Sequence, residues 1–216
     1  MCLADTSRAL RVLEVGTGGG GIANYFGTHP NLRCEVIAVD VCDLREVEDG
    51  YRFVQVAGVD LPFEDQSFDL VITNHVIEHV GDRSAQLRHL GEIHRVMKVG
   101  GAGYLAVPNR WMLIEPHYRL ILLSWLPRRL RTPYLRMFGR GNHYDCEPLQ
   151  MRQLERMLAE TGFAGRNLCV EAVRATSKLE AGGSLDLRVA SLLPDAWLRM
   201  LSPIIPTLIY RLERLR

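Results

Sequence analysis

Several signals are missing from this 216-residue chain, and each absence removes a class of protein. The five cysteines (Cys2, Cys34, Cys42, Cys146, Cys169) are odd in number, lie far apart and form no C-x-x-C pair. That spacing excludes a zinc ribbon and argues against a disulfide framework, so a reducing compartment, the cytoplasm, is expected. Charge of one sign is also missing. Twenty-six Lys+Arg against 25 Asp+Glu leave +1, without the electrostatic footprint of a nucleic-acid binder. No apolar run reaches the roughly 18 residues of a spanning helix, because Arg or Pro interrupts every candidate. The start, MCLADTSRALRVLEVG, has neither the basic opening nor the long apolar core of a signal peptide. Internal repeats and low-complexity segments are absent too.

What is present is an ordinary globular balance, 47% hydrophobic and 24% charged, in a length that fits one domain over residues 1–216. Arg11 to Val15, Glu35 to Val39 and Phe68 to Thr73 have strand length and β-branched content, with Arg52 to Val56 and Tyr104 to Val107 as weaker candidates. Helical stretches lie between them. Gly21 to Thr28 follows a run of glycines. Ser84 to Met97 places Leu87, Leu90, Ile93 and Val96 at helix spacing, with Gly100-Gly101 as its stop. This alternation predicts an α/β fold, a Rossmann-like seven-stranded, mostly parallel sheet with helices on both faces and an antiparallel last strand. Further on, Gln150 to Thr161 reads as an amphipathic helix closed by Gly162. Leu168 to Val173 and Thr207 to Leu212 read as strands, with a helical Leu185 to Leu193 between them. The proline-broken stretch of about 110–145 reads as an insertion of short helices on the substrate side.

The chemistry is concentrated after the first strand. RVLEV runs into Gly16-Thr17-Gly18-Gly19-Gly20-Gly21, where glycines let the backbone turn sharply and approach a ligand at the positive end of a helix. Asp40 ends the next strand, placed to accept hydrogen bonds from two ribose hydroxyls. Glycines and a distant acid alone also satisfy a dinucleotide fingerprint. Glu14 separates the two readings, since a carboxylate two residues before the first glycine repels a pyrophosphate and attracts an ammonium and a sulfonium. The structural alternative is that Glu14 caps the loop by bonding its amides.

With VLEVGTGGGG, AVDVCD, DLPFEDQSFDLVITNHVIEHV, EIHRVMKVGG and YLAVPNRW in this order, the chain resembles the class I S-adenosylmethionine-dependent methyltransferases, in particular small-molecule enzymes related to the ubiquinone and menaquinone methyltransferases. The resemblance implies S-adenosylmethionine as cofactor and S-adenosylhomocysteine as product, with no metal. It assigns Glu14, Gly16, Thr17, Gly18 and Gly20 to the methionine end, Asp40 to the ribose, Val41 to the adenine face, and Asn74 and His75 to the methyl group. Where many relatives hold the adenine amino group with an Asp, this chain has Ala57, followed by Gly58, whose amide reaches toward the ring; the nearest acid is Asp60.

Methyl transfer to a hydroxyl or carbon needs a proton acceptor, and histidine titrates nearest neutrality. His117 and His143 in the insertion are the leading candidates for a base, with His75 in reserve. His29 and His89 read as surface residues, and His94 as structural. From Pro116 to Tyr144 there are six arginines and no acid, interleaved with leucines and Trp125. One reading is a cover for a greasy acceptor that leans on an anionic membrane; the other is a helix pair packing on the sheet with a solvated arginine face. Only ten residues precede the first strand, so either this insertion or a second subunit of a homo-oligomer is expected to close the cleft. The expected acceptor is a small, apolar or aromatic molecule methylated on oxygen or carbon. The rival function is a methyltransferase-like protein that binds a ligand or activates a partner without catalysis.

Overall fold

The structure is a computed structural model that describes residues 8–115, 117–179 and 192–215. Seven strands form one sheet: β1 (Leu10–Val15), β2 (Cys34–Asp40), β3 (Arg52–Gln55), β4 (Phe68–Asn74), β5 (Met97–Pro108), β8 (Phe163–Asn167) and β9 (Thr207–Arg214). Their order is β3-β2-β1-β4-β5-β9-β8, with every pair parallel except the two made by β9. The expected mostly parallel sheet with an antiparallel last strand is therefore what the chain builds. A separate two-residue ladder pairs β6 (Ile114–Glu115) with β7 (Leu120–Ile121).

Central strands buried on both faces need apolar residues at consecutive positions rather than alternate ones. Val12 to Val15, Val36 to Val39 and Leu70 to Thr73 are each buried throughout. On one face Leu13, Ile37, Val71 and Val107 pack with Leu90 and Ile93 of α2 (Arg83–Val96) and Leu154, Met157 and Leu158 of α4 (Met151–Glu160). On the other, Val12, Val36, Ala38, Leu70 and Ile72 pack on Ala23 of α1 (Gly21–Thr28). Strand order reverses between β1 and β4, so their carboxyl ends diverge and leave a crevice there.

Three expectations change. The glycines Gly100 and Gly101 do not stop α2, which already ends at Val96; they bend β5, which starts at Met97 and carries a register irregularity opposite Phe68–Leu70. A Cβ on Gly101 would lie 2.9 Å from the Lys98 carbonyl oxygen. The edge strand is Phe163–Asn167, and the apolar run from Leu168 turns into α5 (Cys169–Leu179) because Asn167 Oδ1 accepts the Cys169 amide at 2.9 Å and turns the chain out of the sheet. The 110–145 stretch contains the β6–β7 ladder, a 3₁₀ turn (Leu123–Trp125) and α3 (Arg128–Met137), not helices alone. Of the proposed helix Leu185 to Leu193, residues 185–191 lie outside the described residues, and α6 (Asp195–Leu201) follows.

The loop carrying Leu61-Pro62-Phe63 is clamped onto α2. Glu92 Oε2 accepts the Leu61 amide at 2.8 Å, while Arg95 donates to the carbonyls of Leu61 and Phe63 and to Asp65. Arg95 and Glu92 pair at 2.7 Å, and this bond holds the Glu92 carboxyl below its usual range against the partial burial that raises it. A carboxyl depressed on folding contributes stability above its unfolded value, lost as pH falls through the lowered folded value. Glu92→Gln is therefore expected to cost about 1 kcal/mol near neutral pH and to flatten the acid limb of stability against pH, measured by urea unfolding at several pH values.

Candidate active site

The glycine loop is held by one buried carboxylate. Glu14, 2% exposed, accepts the Thr17 hydroxyl at 2.7 Å and the Ala23 amide at 3.0 Å, both on Oε2. Burial pushes its carboxyl pKa up, opposed by those two bonds. Oε2 is thus committed to the protein's own donors, the loop-capping role, although Glu14 also lines the cleft. The Val39 carbonyl accepts both the Gly16 and Thr17 amides. Gly16 has φ +78°, and a Cβ there would meet Val76 Cγ2 at 2.2 Å, so a side chain there is both strained and crowded. Gly20 stands behind the wall as the left-handed residue that starts α1.

The crevice is a cavity of about 840 Å³. Gly16, Thr17 and Gly18 form its rim, Asp40 and Val41 stand at the end of β2, and Val59 and Gly58 face them. Asp40 Oδ2 accepts the Gly18 amide at 2.9 Å and Oδ1 the Val41 amide at 2.7 Å, so loop and acid share one geometry. Besides Gly20, two expected positions are off the wall. Ala57 does not line the cavity, and Asp60 points outward, paired with Arg88 at 2.9 Å, because the α2 surface offers it a cation there.

At the end of β4 the wall passes through Asn74 and His75. His75 has φ +57°, the left-handed region that costs a residue with a Cβ, and its amide donates to Ala106 O at 2.9 Å. Its Nδ1 lies 3.4 Å from Glu78 Oε1; Glu78 is fully buried and neither of its oxygens has a hydrogen-bond partner. His79 also lines the cavity, with Nε2 at 4.0 Å from the same oxygen. His117 completes the group, its ring edge-on to His75 at 6.2 Å and to His79 at 6.3 Å. Glu115, 1% exposed, bonds His117 Nδ1 at 2.8 Å with one oxygen and the Tyr118 amide with the other. An ionised carboxylate can only accept, so a neutral His117 ring bonded to it donates from Nδ1 and has Nε2 to accept a proton. Three imidazoles backed by two buried carboxylates therefore meet at the cavity mouth, an arrangement suited to taking a proton from a bound molecule.

The remaining candidates go elsewhere. His143 is exposed on the loop after α3, away from the cavity wall, because Tyr144 and Cys146 on either side of Asp145 are the residues that turn inward. His89 is not a surface residue. It is buried beneath the cavity, 3.3 Å from Thr73 Oγ1, and burial pushes its pKa down to about 4, so it is neutral. Glu78 and Glu115 are the buried acids behind these rings; in the sequence Glu78 reads as a packing residue after the fourth strand and Glu115 as a neighbour of His117, and the His75–Glu78 spacing of three and the E-x-H at 115–117 are the signals of their contacts. His79, Asp145 and Cys146 form the one group among the described residues with potential metal ligands within 4.8 Å, and burial raises the Cys146 thiol well above its usual value.

Residues 13–105 match the methyltransferase domain family. Over 203 residues the chain is 30% identical to the phthiotriol/phenolphthiotriol dimycocerosates methyltransferase of Mycobacterium leprae, covering 86% of this chain and 70% of that protein. This chain belongs to the class I S-adenosylmethionine-dependent methyltransferases. It is 32% identical to the ubiquinone/menaquinone biosynthesis C-methyltransferase of Xanthomonas oryzae pv. oryzae over 176 residues, 71% of this chain and 66% of that one. In fold, this methyltransferase matches the S-adenosylmethionine dependent methyltransferase from Mesorhizobium loti with a TM-score of 0.60 at 15% identity, over 96% and 92% of the two chains. It also matches phosphoethanolamine N-methyltransferase 2 of Haemonchus contortus, solved with S-adenosyl-L-methionine, with a TM-score of 0.56 at 16% identity, over 99% and 50%. No helix among the described residues of this methyltransferase is long and apolar enough to cross a membrane.

The left-handed backbone at His75 separates two truncations that remove the same ring. His75→Gly is expected to be more stable than His75→Ala by about 1 kcal/mol, because only alanine keeps a Cβ in that conformation; thermal melts of the two variants check it.

Proposed function

We propose that this methyltransferase transfers a methyl group to a small apolar or aromatic acceptor, on oxygen or carbon, with His75 or His117 taking the acceptor's proton. One observation carries this reading: the His75, His79 and His117 rings meet at the cavity mouth beside the carboxyl end of β4, backed by Glu78 and Glu115. The relatives above, a C-methyltransferase of ubiquinone and menaquinone biosynthesis among them, support an organic acceptor. When bound, S-adenosylmethionine supplies an electrophilic methyl on a sulfonium.

The residues fit that cofactor. The left-handed Gly16 and Gly18 open the rim, and Gly18 has nothing within 4 Å of where a Cβ would stand, which leaves room for the amino-acid end. Asp40 sits where two ribose hydroxyls can donate to it, and Val41, 53% exposed, offers an apolar face to the adenine. Gly58 lines the opposite wall with its backbone. In this reading residues 1–216 work as one domain, and the 110–145 segment covers the acceptor side by carrying His117 to the mouth. In-line transfer needs the acceptor held in place, so positioning by these walls supplies much of the rate. The Glu115 carboxylate fixes the His117 ring in the orientation that leaves Nε2 free.

Calorimetry with S-adenosylhomocysteine is expected to show binding by the wild type, weakened at least about tenfold, roughly 1.4 kcal/mol, in Asp40→Ala. With radiolabelled S-adenosylmethionine and a small-molecule extract of the source cells, alanine at the residue that serves as base is expected to cut turnover by about 10²–10⁴ with cofactor affinity unchanged. Near-normal turnover by both His75→Ala and His117→Ala across the neutral pH range would replace base catalysis by transfer to an already nucleophilic group.

A further inference from the structure

The β6–β7 hairpin, which carries His117 to the mouth, and α3 turn apolar side chains outward. Ile114 and Ile121 are cross-strand partners, so their side chains share one face of the ladder, and they are 55% and 61% exposed. Leu113 and Leu122 beside them are exposed as well, joined by the bond from the Leu122 amide to the Leu113 carbonyl. On α3, Leu130, Tyr134, Met137 and Phe138 fall at i, i+4, i+7 and i+8, one helical stripe. A stripe of this kind normally faces a core. Here Arg131 and Leu135 are the residues turned inward, while Met137 is 70% and Phe138 52% exposed.

The two apolar faces are tied into one surface. The Tyr134 hydroxyl donates to the Ile121 carbonyl at 3.0 Å, and the Tyr134 ring packs against Phe138. Trp125, between them in sequence, donates from its indole to the Met112 carbonyl and leaves part of its ring in solvent. Exposed arginines accompany this surface at positions 119, 129, 136 and 140, while Arg128, also exposed, is paired with Glu147 at 2.8 Å; residues 116–144 themselves contain no acid. Arg131, the sixth, is not part of the charge: its guanidinium is buried and donates to the Leu126 and Ser124 carbonyls.

We infer that this surface rests on an anionic lipid bilayer, its apolar side chains entering the interface and its arginines meeting the headgroups. Charge decides the occupant. A second copy docked symmetrically would bring the arginines of one 116–144 segment, which has no acid of its own, against those of the other. An anionic bilayer instead offers counter-charge beside hydrocarbon, about 1 kcal/mol of attraction for each basic side chain near the surface. The same hairpin carries Glu115 and His117, so the docked surface lies beside the cavity mouth. The surface stands on its own geometry; only its use in receiving an apolar acceptor rests on the function proposed above.

Vesicle flotation tests it, with the full chain mixed with vesicles of phosphatidylcholine plus phosphatidylglycerol or of phosphatidylcholine alone. The wild type is expected to float with the anionic vesicles and to lose at least about tenfold in affinity on neutral ones or in high salt, where charge is screened. The double variants Ile121→Ser/Phe138→Ser and Arg129→Gln/Arg140→Gln should each lose about tenfold on anionic vesicles. Circular dichroism and S-adenosylhomocysteine calorimetry on the same samples show that fold and cofactor seat survive, which separates failure of the surface from failure of the catalytic reading. The inference is overturned if the wild type stays unfloated with both vesicles, or if folded variants float as well as the wild type. It is also overturned if light scattering finds a dimer that Ile121→Ser/Phe138→Ser dissociates, since the face is then a contact between copies.

Discussion

One buried carboxylate sets the shape on which the cleft depends. Glu14 Oε2 bonds the Thr17 hydroxyl and the Ala23 amide, joining the end of β1, the glycine loop and the first turn of α1 at a single atom. Gly20, which starts α1, provides no side-chain cap, so the carboxylate also answers the positive end of that helix. A loop pinned so tightly has to pass close to Val76 at Gly16 and adopt left-handed geometry at Gly18, which then donates to Asp40. The rim and the acid opposite it are consequences of one local constraint.

The second arrangement couples parts of the chain distant in sequence. His75 and Glu78 leave β4, whereas Glu115 and His117 belong to the hairpin some forty residues later. Burying a carboxylate without partners is costly, and both acids are placed where an imidazole sits close by. For Glu115 the match is complete, with Tyr118 and His117 taking its two oxygens. Glu78 has only the looser approach of His75 and His79, so its environment depends on what those rings do. The grouping of the three imidazoles at the mouth thereby depends on where the hairpin rests.

Much of the fold was legible in the sequence because it rests on local rules. Val36–Val39 is a continuous apolar run, and Val12–Val15 is one broken only by Glu14, as strands covered on both faces require, and the glycines after β1 announce a tight turn into α1 over the residues expected. The run from Leu168 misled because a short apolar stretch has no period to tell a buried strand from a helix, and the deciding contact is Asn167 turning the chain outward. At the site, Asp40, Asn74 and His75 were legible from their place at strand ends. His89 was not, since an isolated histidine in a charged helix gives no sign of facing inward toward Thr73. Asp60 misled for the opposite reason, as its partner Arg88 lies on another element. The hairpin escaped notice because two-residue strands leave no pattern, and the outward apolar stripe on α3 looks in sequence like any core-facing helix.

The position of β9 has a consequence for how the protein is made. β5 is twelve residues long and gains its partner on one side only from Thr207–Arg214, about a hundred residues later. During synthesis at roughly 5–20 residues per second, the first five strands emerge and pair while one edge of β5 waits for several seconds or more with its amides and carbonyls unmatched. An open edge of that length is a template for pairing with another nascent chain. Gly100 and Gly101, by bending β5 near its start, interrupt the flat stretch that such a mismatch would need.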